Sequence, residues 1–391
     1  MEILAAGIQA RFREIFGGSP LLVRSPGRVN LIGEHTDYNA GFVLPAAIDK
    51  AILFAIRERP GRRCRLFAAD LNERHEFDLD GFQRDSKHWP NYLMGVVDQI
   101  LREGYTLGGF DCVFGGNIPI GAGLSSSAAL EAGLAAALNE IFELNIDKLQ
   151  LVHLARRAEN EFVGVQCGIM DQFINIFGMK DRAVLLDCRS LEYQYYPFDG
   201  KELSVVLCDT GVRRELASSE YNIRRAQCES AVSILQQFDK NVKSLRDASL
   251  DLLEEHRQAL GALLFRRSAY VVRENLRVLA ACGDLQRGDW QAFGQRIYQS
   301  HEGLRDDYEV SSPELNLLIE LAAGIPGVLG ARMMGAGFGG CTINLVKNKQ
   351  LENFTGSIEE SFRRQSGKNV AIHVARIQAG TSVITAQEAH V

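Results

Sequence analysis

The stretch Gly121-Ala122-Gly123-Leu124-Ser125-Ser126-Ser127 opens an alanine-rich run that continues to about Phe142. Its glycines can take left-handed angles and let the backbone approach a ligand, and Ser125 or Ser126 would serve as N-cap of the helix that the alanines predict. The first N–H groups of a helix lack internal partners and lie at the positive end of its dipole, so the arrangement suits a phosphate. Three consecutive hydroxyls exceed what a cap requires. No Lys follows the glycines, which excludes a Walker A loop, and the spacing is not that of a dinucleotide fingerprint. The dipole contributes about 0.3–2 kcal/mol, whereas enzymes lower barriers by about 8 kcal/mol or more. A metal and charged side chains must therefore join the loop from elsewhere.

Three other places carry such groups. The polar, turn-rich segment 25–41 gathers Arg28, Glu34, His35, Thr36 and Asp37, and its composition fits either a solvated loop or a binding loop on a rigid scaffold. Glu159 lies near the end of a helix predicted from the 3.6-residue period of Leu151, Leu154, Ala155, Ala158 and Phe162, with Asp147 as its cap. A helical glutamate is ordinarily solvated unless a cation engages it. Asp171 sits among apolar residues in a helix predicted over 168–177, and a carboxylate is seldom buried without a partner. A further cluster, Gly335, Gly337, Gly339 and Gly340, lies between two strand-like runs and suits a tight hairpin or a lid close to a ligand.

The elements that must position these groups read as a mixture of strands and helices. Strands are expected at 21–24, 42–44, 51–57, 64–68, 76–79, 111–114 and 183–187, with helices over 1–16 and 90–103. Trp89, just before the second of these, is either core or the face of an adenine pocket. The second half opens with a strand at 203–209 and a helix capped near Ser218 or Ser219 that carries Tyr221, a packing residue or a ligand contact. From there to about 323 the chain reads as mostly helical, and it closes with a helix over 351–365 and a strand over 369–377.

Bulk properties narrow the class. With 391 residues the chain exceeds a usual single core, so two domains are expected. Hydrophobic content of 46% and charged content of 24% are ordinary for a soluble protein. A net charge of −6 without a basic block argues against nucleic acid. The eight cysteines show no C-x-x-C and no metal-ligand spacing, which suggests reduced thiols in the cytoplasm. No apolar run approaches the roughly 20 residues of a membrane span, and residues 1–16 suit an amphipathic helix better than a signal peptide.

Taken together, a phosphate cradle, a buried acid, a candidate metal ligand and groups suited to many hydroxyls suggest phosphoryl transfer from a nucleotide to a polyol. The run 27–41 resembles the galactokinase signature, 116–128 resembles the ATP loop of the GHMP kinases, and 335–340 resembles their third motif, all in the family's order. This resemblance implies an α+β (mixed α/β), two-lobed GHMP kinase fold. A ribosomal-S5-like N-terminal domain would span 1–197 and a ferredoxin-like C-terminal domain 198–391, with the active site in the cleft.

The reaction implied is MgATP-dependent phosphorylation of α-D-galactose at the C1 hydroxyl, the first committed step of the Leloir pathway. Residue by residue, the resemblance makes Asp171 the catalytic base or the group that orients the C1 hydroxyl, with Arg28 stabilising charge beside it. Glu34, His35, Thr36, Asp37, Gly168 and Tyr221 would hold the sugar. Gly121, Ala122, Gly123, Leu124, Ser125, Ser126 and Ser127 would hold ATP, with Trp89 near the adenine, and Ser127 and Glu159 would hold Mg²⁺. The partners implied are D-galactose and ATP, acting on a monomer. Kinases for N-acetylgalactosamine, galacturonate or arabinose would share most of these residues, and a sugar-sensing regulator would keep the fold without turnover. The motifs contain no Cys or His placed as a nucleophile, so direct in-line transfer is expected.

Overall fold

The computed structural model describes residues 2–119, 121–212 and 217–384, without the side chains of 217–219. Two strands buried along most of their length, Leu21–Asn30 and Pro45–Arg59, pair antiparallel at the heart of a six-stranded sheet. The order across the sheet is Ser382–Val383, Leu21–Asn30, Pro45–Arg59, Gly109–Gly116, Arg63–Ala68 and Glu73–Asp78. Only the pairing of Arg63–Ala68 with Gly109–Gly116 is parallel.

The first strand outruns the expected end at Arg24. Pro26 has no N–H to give the ladder, and the register shifts between Pro26 and Arg28. Polar, turn-forming residues that read as a loop are therefore an irregular strand, and its far end carries Arg28 into the cleft.

The alanine-rich helix Ser126–Ile141 lies on this sheet. Small residues permit the close approach, since a Cβ at Gly133 would fall 2.4 Å from a ring carbon of Phe54. Helices Trp89–Arg102, Lys148–Arg157 and Met170–Phe177 pack around it. Asp147 caps the second of these as expected, accepting the Gln150 N–H at 3.0 Å. The periodic run toward Phe162 is not α-helical throughout, because Ala158–Val163 forms a π-helical turn. Such widened turns are frequent at functional sites, and this one carries Glu159. The helix expected from Gly168 begins at Met170, leaving Gly168 in the preceding loop.

In the second half, strands Val328–Met333, Cys341–Lys347, Leu203–Asp209 and Ala371–Ala375 form an antiparallel sheet in that order. Helices Trp290–Glu302, Pro313–Ala323 and Leu351–Ser366 pack with it. The long helix Arg257–Arg287 is broken at Gly261, where φ is 67°. The helix expected to be capped near Ser218 or Ser219 runs over Ala217–Leu235, and those serine side chains lie outside the described residues. A small sheet of Phe42–Val43, Arg182–Asp187 and Tyr193–Pro197 completes the set.

One apolar core runs from Val29, Leu31 and Phe54 through Leu203 and Leu207 to Ile343 and Leu345, so the two large sheets share their buried surface. The chain also crosses back at its end, where Val383 pairs with Val23 and Ile377 bridges Ile48. Both halves thereby contribute walls to one cleft. No helix among the described residues is long and apolar enough to cross a membrane.

Candidate active site

Arg28 and Asp171 stand 143 residues apart in the chain and meet fork to fork. Arg28 Nε donates to Asp171 Oδ1 at 2.6 Å and Nη2 donates to Oδ2 at 2.7 Å, while Nη1 reaches the Gly123 carbonyl at 2.6 Å. Burial opposes the charge on Arg28, but Asp171, joined by Glu34 and Asp37, outweighs it and holds the guanidinium above its ordinary value. The Asp171 side chain is 26% exposed against 8% for Arg28, so the carboxylate is the member open to a substrate.

Ser125 corrects one expectation. It precedes the helix with φ 61° and ψ 53°, a left-handed conformation, and makes no cap bond. Its hydroxyl is turned instead to Asp171, donating to Oδ2 at 2.5 Å. The loop before it uses Gly121 and Gly123 with φ 73° at each. The side chains of Ala122 and Leu124 are buried, and the Leu124 carbonyl accepts the Arg28 N–H at 3.1 Å. Ile120 lies outside the described residues. Facing this loop is the turn from Gly335 to Gly340, the hairpin between strands Val328–Met333 and Cys341–Lys347. A Cβ at Gly335 would lie 3.9 Å from the Gly123 carbonyl oxygen, and one at Gly340 4.0 Å from that of Gly121.

Beside the Arg28–Asp171 pair opens a cavity of about 400 Å³ lined by Glu34, His35, Asp37, Gly168 and Tyr221 among others. That volume falls in the usual small-ligand range. Burial and the neighbouring Asp171 push the Asp37 carboxyl up to about 6. Burial drives His35 down to about 3, so its imidazole is neutral. Gly168 is dictated by close approach, because a Cβ there would sit 1.7 Å from Asp37 Oδ2. Thr36 departs from its expected place on the ligand. It is fully buried, with its hydroxyl 2.8 Å from the Gly33 carbonyl and 2.7 Å from that of Phe42, so it ties the loop together. Trp89 does not line this cavity. Its ring packs on Phe114 and its N–H donates to Glu73 at 2.9 Å, beside the strand that leads into the first glycine loop.

Behind the serines lies a carboxylate pair. The Ser127 hydroxyl is near enough to the Glu159 carboxylate to favour its ionised form, and Gln172 Nε2 donates to Glu159 Oε2 at 2.7 Å and to Glu131 Oε2 at 3.3 Å. Burial raises both acids, Glu131 strongly with the nearby Glu159 adding to it, and Glu131 Oε1 has no donor among the described residues. A hydroxyl and a carboxylate are the hard oxygen donors that Mg²⁺ takes, one or two at a time, with phosphate and water filling the remaining positions. Among the described residues no group of three or more His, Cys, Asp and Glu side chains is placed to hold a metal, so phosphate oxygens would have to supply the rest.

Several members escaped sequence reasoning. Arg332, fully buried, donates from Nη1 and Nη2 to Glu34 Oε1 at 3.2 Å each and from Nε to the Leu31 carbonyl at 2.9 Å. An arginine inside an apolar strand was as legible a signal as an acid among apolar residues at Asp171. Glu131 in an alanine-rich helix carried the same signal. Tyr38, which bonds His35, and Gln172, which bonds Glu159, gave none, since their partners are set by packing.

The chain resembles known proteins over nearly its whole length. The chain matches the galactokinase galactose-binding signature over residues 10–58, the GHMP kinases N terminal domain over 91–179 and the GHMP kinases C terminal domain over 281–362. A galactokinase of Roseiflexus sp. is 45% identical over 374 residues, 95% of each chain, and that of Chloroflexus aggregans is 43% identical over 383 residues, 97% of this chain and 98% of the relative. The crystal structure of Lactococcus lactis galactokinase complexed with galactose superposes with a TM-score of 0.93 at 36% identity, covering 97% of this chain and 99% of that one. Methanococcus jannaschii mevalonate kinase, at 18% identity and a TM-score of 0.66 over 92% of this chain and 99% of its own, shares the fold. A signature peculiar to one branch, lying on the loop that carries Glu34, His35 and Asp37, together with near full-length identity above 40%, establishes that this chain belongs to the galactokinase family of the GHMP kinases.

Proposed function

We propose that the chain transfers the γ-phosphoryl group of ATP to the C1 hydroxyl of α-D-galactose, releasing galactose 1-phosphate and ADP. The observation that carries this reading is the Asp171 carboxylate, gripped by Arg28 and opening onto a cavity lined with hydroxyl-binding groups.

The lone pairs of Asp171 define its part. A carboxylate offers about four acceptor sites. Two on Oδ2 are taken by Arg28 and Ser125 and one on Oδ1 by Arg28, which leaves one on Oδ1 for the C1 hydroxyl. Asp171 thus aligns that hydroxyl and receives its proton as the O–P bond forms. Arg28, anchored between Asp171 and the Gly123 carbonyl, places fixed positive charge between sugar and phosphate. The N-terminus of helix Ser126–Ile141 and the facing glycine turn cradle the phosphates.

Ser127 and Glu159 are the residues that would hold Mg²⁺, which when bound neutralises phosphate charge in the transfer. Trp89 is assigned to the adenine end of the site, and Glu34, His35, Asp37, Gly168 and Tyr221 to the sugar. The transfer is direct and in line. Cys167 also lines the cavity, but burial and Glu159 keep its thiol protonated and unfit as a nucleophile. We further assign residues 1–197 and 198–391 as the two domains, the second returning its last strand to the first.

The test is ADP release from MgATP across D-galactose, N-acetylgalactosamine, galacturonate, arabinose, glucose, homoserine and mevalonate. Turnover with galactose far above the rest is expected. Binding of galactose and ATP without ADP would make the protein a sensor and refute the catalytic reading. Inversion at a chiral γ-phosphorus is the expected stereochemistry, and retention would refute in-line transfer.

A further inference from the structure

His35 is held with unusual firmness. Its backbone takes φ 63°, outside the common range for a residue with a side chain. The Tyr270 hydroxyl donates to the Glu34 carbonyl at 3.0 Å and Asn39 Nδ2 donates to the His35 carbonyl at 2.9 Å, pinning the peptide from both sides. The residue is 4% exposed, and Nε2 is buried in the cavity wall with no partner of good hydrogen-bond geometry among the described residues, the Ala336 backbone of the facing glycine turn lying beside the ring. Nδ1, by contrast, begins a chain. It lies 2.8 Å from the Tyr38 hydroxyl, which lies 2.8 Å from the Tyr308 hydroxyl, which in turn lies 3.2 Å from Cys228 Sγ.

Each hydroxyl in this chain has a single proton, so donation runs in one direction throughout. Imidazole nitrogen is the strongest acceptor present, a thiol sulfur is a weak one, and phenols donate well. These preferences agree on one direction, from Cys228 to Tyr308 to Tyr38 to Nδ1. Burial supports it by raising both phenols well above their usual range and the Cys228 thiol to about 11, so that every donor keeps its proton. A neutral ring that accepts at Nδ1 carries its own proton on Nε2.

We propose that Tyr38, backed by Tyr308, is a positioning residue that fixes His35 as the Nε2–H tautomer, so that His35 acts as a hydrogen-bond donor to a sugar oxygen. The proposal rests on reading the cavity as the sugar site and gives its walls different tasks. Glu34 and Asp37, when ionised, can only accept, so a hydroxyl facing them must carry a proton. The oxygen facing His35 needs only a lone pair. A deoxyfluoro sugar altered at the His35-facing position is therefore tolerated better than one altered at a carboxylate-facing position.

The experiment has two arms. Nitrogen NMR of protein labelled at histidine, with His35 assigned through His35→Gln, reads the tautomer without any sugar present. Nε2–H is expected in the wild type, and a mixture in Tyr38→Phe. Steady-state kinetics of Tyr38→Phe should show a galactose KM about 3- to 10-fold higher, the scale of one lost hydrogen bond, with kcat and the ATP KM within about twofold. Tyr308→Phe leaves the Tyr38 donor in place and should raise the galactose KM less. An Nδ1–H tautomer in the wild type overturns the proposal. So does a Tyr38→Phe variant with unchanged tautomer and unchanged galactose KM. Turnover of a different sugar by the wild type would refute the substrate assignment alone, because the tautomer is read in its absence.

Discussion

Arg332 is the residue on which the sugar pocket should depend most while lying outside it. Its guanidinium spends Nε on the Leu31 carbonyl at 2.9 Å, Nη1 on the Met333 carbonyl at 2.7 Å, and both terminal nitrogens on Glu34, with Nη2 also on the Asn30 carbonyl. Lysine in its place keeps the charge but has one nitrogen, which cannot span three carbonyls and a carboxylate. Two or three hydrogen bonds lost at about 1 kcal/mol each amount to roughly 2–3 kcal/mol of stability. That is within the 5–15 kcal/mol typical of a folded domain, so Arg332→Lys should fold. Arg332→Met removes the charge, strands Glu34 and should cost about 3–5 kcal/mol.

In Arg332→Lys, Glu34 Oε1 retains the Gly335 N–H at 2.9 Å and loses its guanidinium fork. The galactose KM should rise about tenfold, equivalent to about 1.4 kcal/mol. The kcat should change less than about threefold, since none of the bonds on Asp171 comes from Arg332. Urea denaturation and steady-state kinetics read the two effects, and a double-mutant cycle with Glu34→Gln tests whether they act through one contact. Unchanged stability and unchanged galactose KM, or strictly additive effects in the cycle, would refute the clamp.

Ser125→Ala should leave thermal stability unchanged, whereas loss of a true cap costs about 1 kcal/mol, and should lower kcat about tenfold by removing a donor to Asp171. Asp171→Asn should lower kcat by about 10²–10⁴ while calorimetry shows galactose and ATP still bound. Gly168→Ala forces Asp37 aside and should raise the galactose KM at least about tenfold with little change in melting temperature. For Asp37, a carboxyl raised from 3.8 to about 6, the folded sugar-free protein binds its proton more tightly than the unfolded chain. This contribution to stability therefore falls as pH rises from about 4 to about 6. Galactose binding moves the other way, because only the ionised carboxylate accepts two hydroxyl protons, so kcat/KM should fall below about pH 6. Asp37→Asn should be weaker throughout and lack that acidic limb.

Local features of this protein were legible from the chain alone. The left-handed glycines at Gly121, Gly123 and Gly335, the helix over Ser126–Ile141 and the cap at Asp147 depend on residues within a few positions of one another. An acid among apolar residues, at Asp171, stood out by type, whereas the composition of the Glu34–Asp37 segment fits a solvated loop as well as a binding one. Tertiary structure decided what each group faces. Thr36 and Asp37 are neighbours of similar polarity, yet one binds its own loop and the other lines the cavity. Ser125 had the type of a cap, and a left-handed backbone gave its hydroxyl to an aspartate 46 residues away. Arg332 reaches Glu34 across 298 residues, and Tyr38 reaches Tyr308 across 270. Propensity and capping are settled by short-range sterics that residue types encode directly. A buried polar group instead takes whatever partner the packing of distant elements brings within 3 Å or so, and no local pattern encodes that choice.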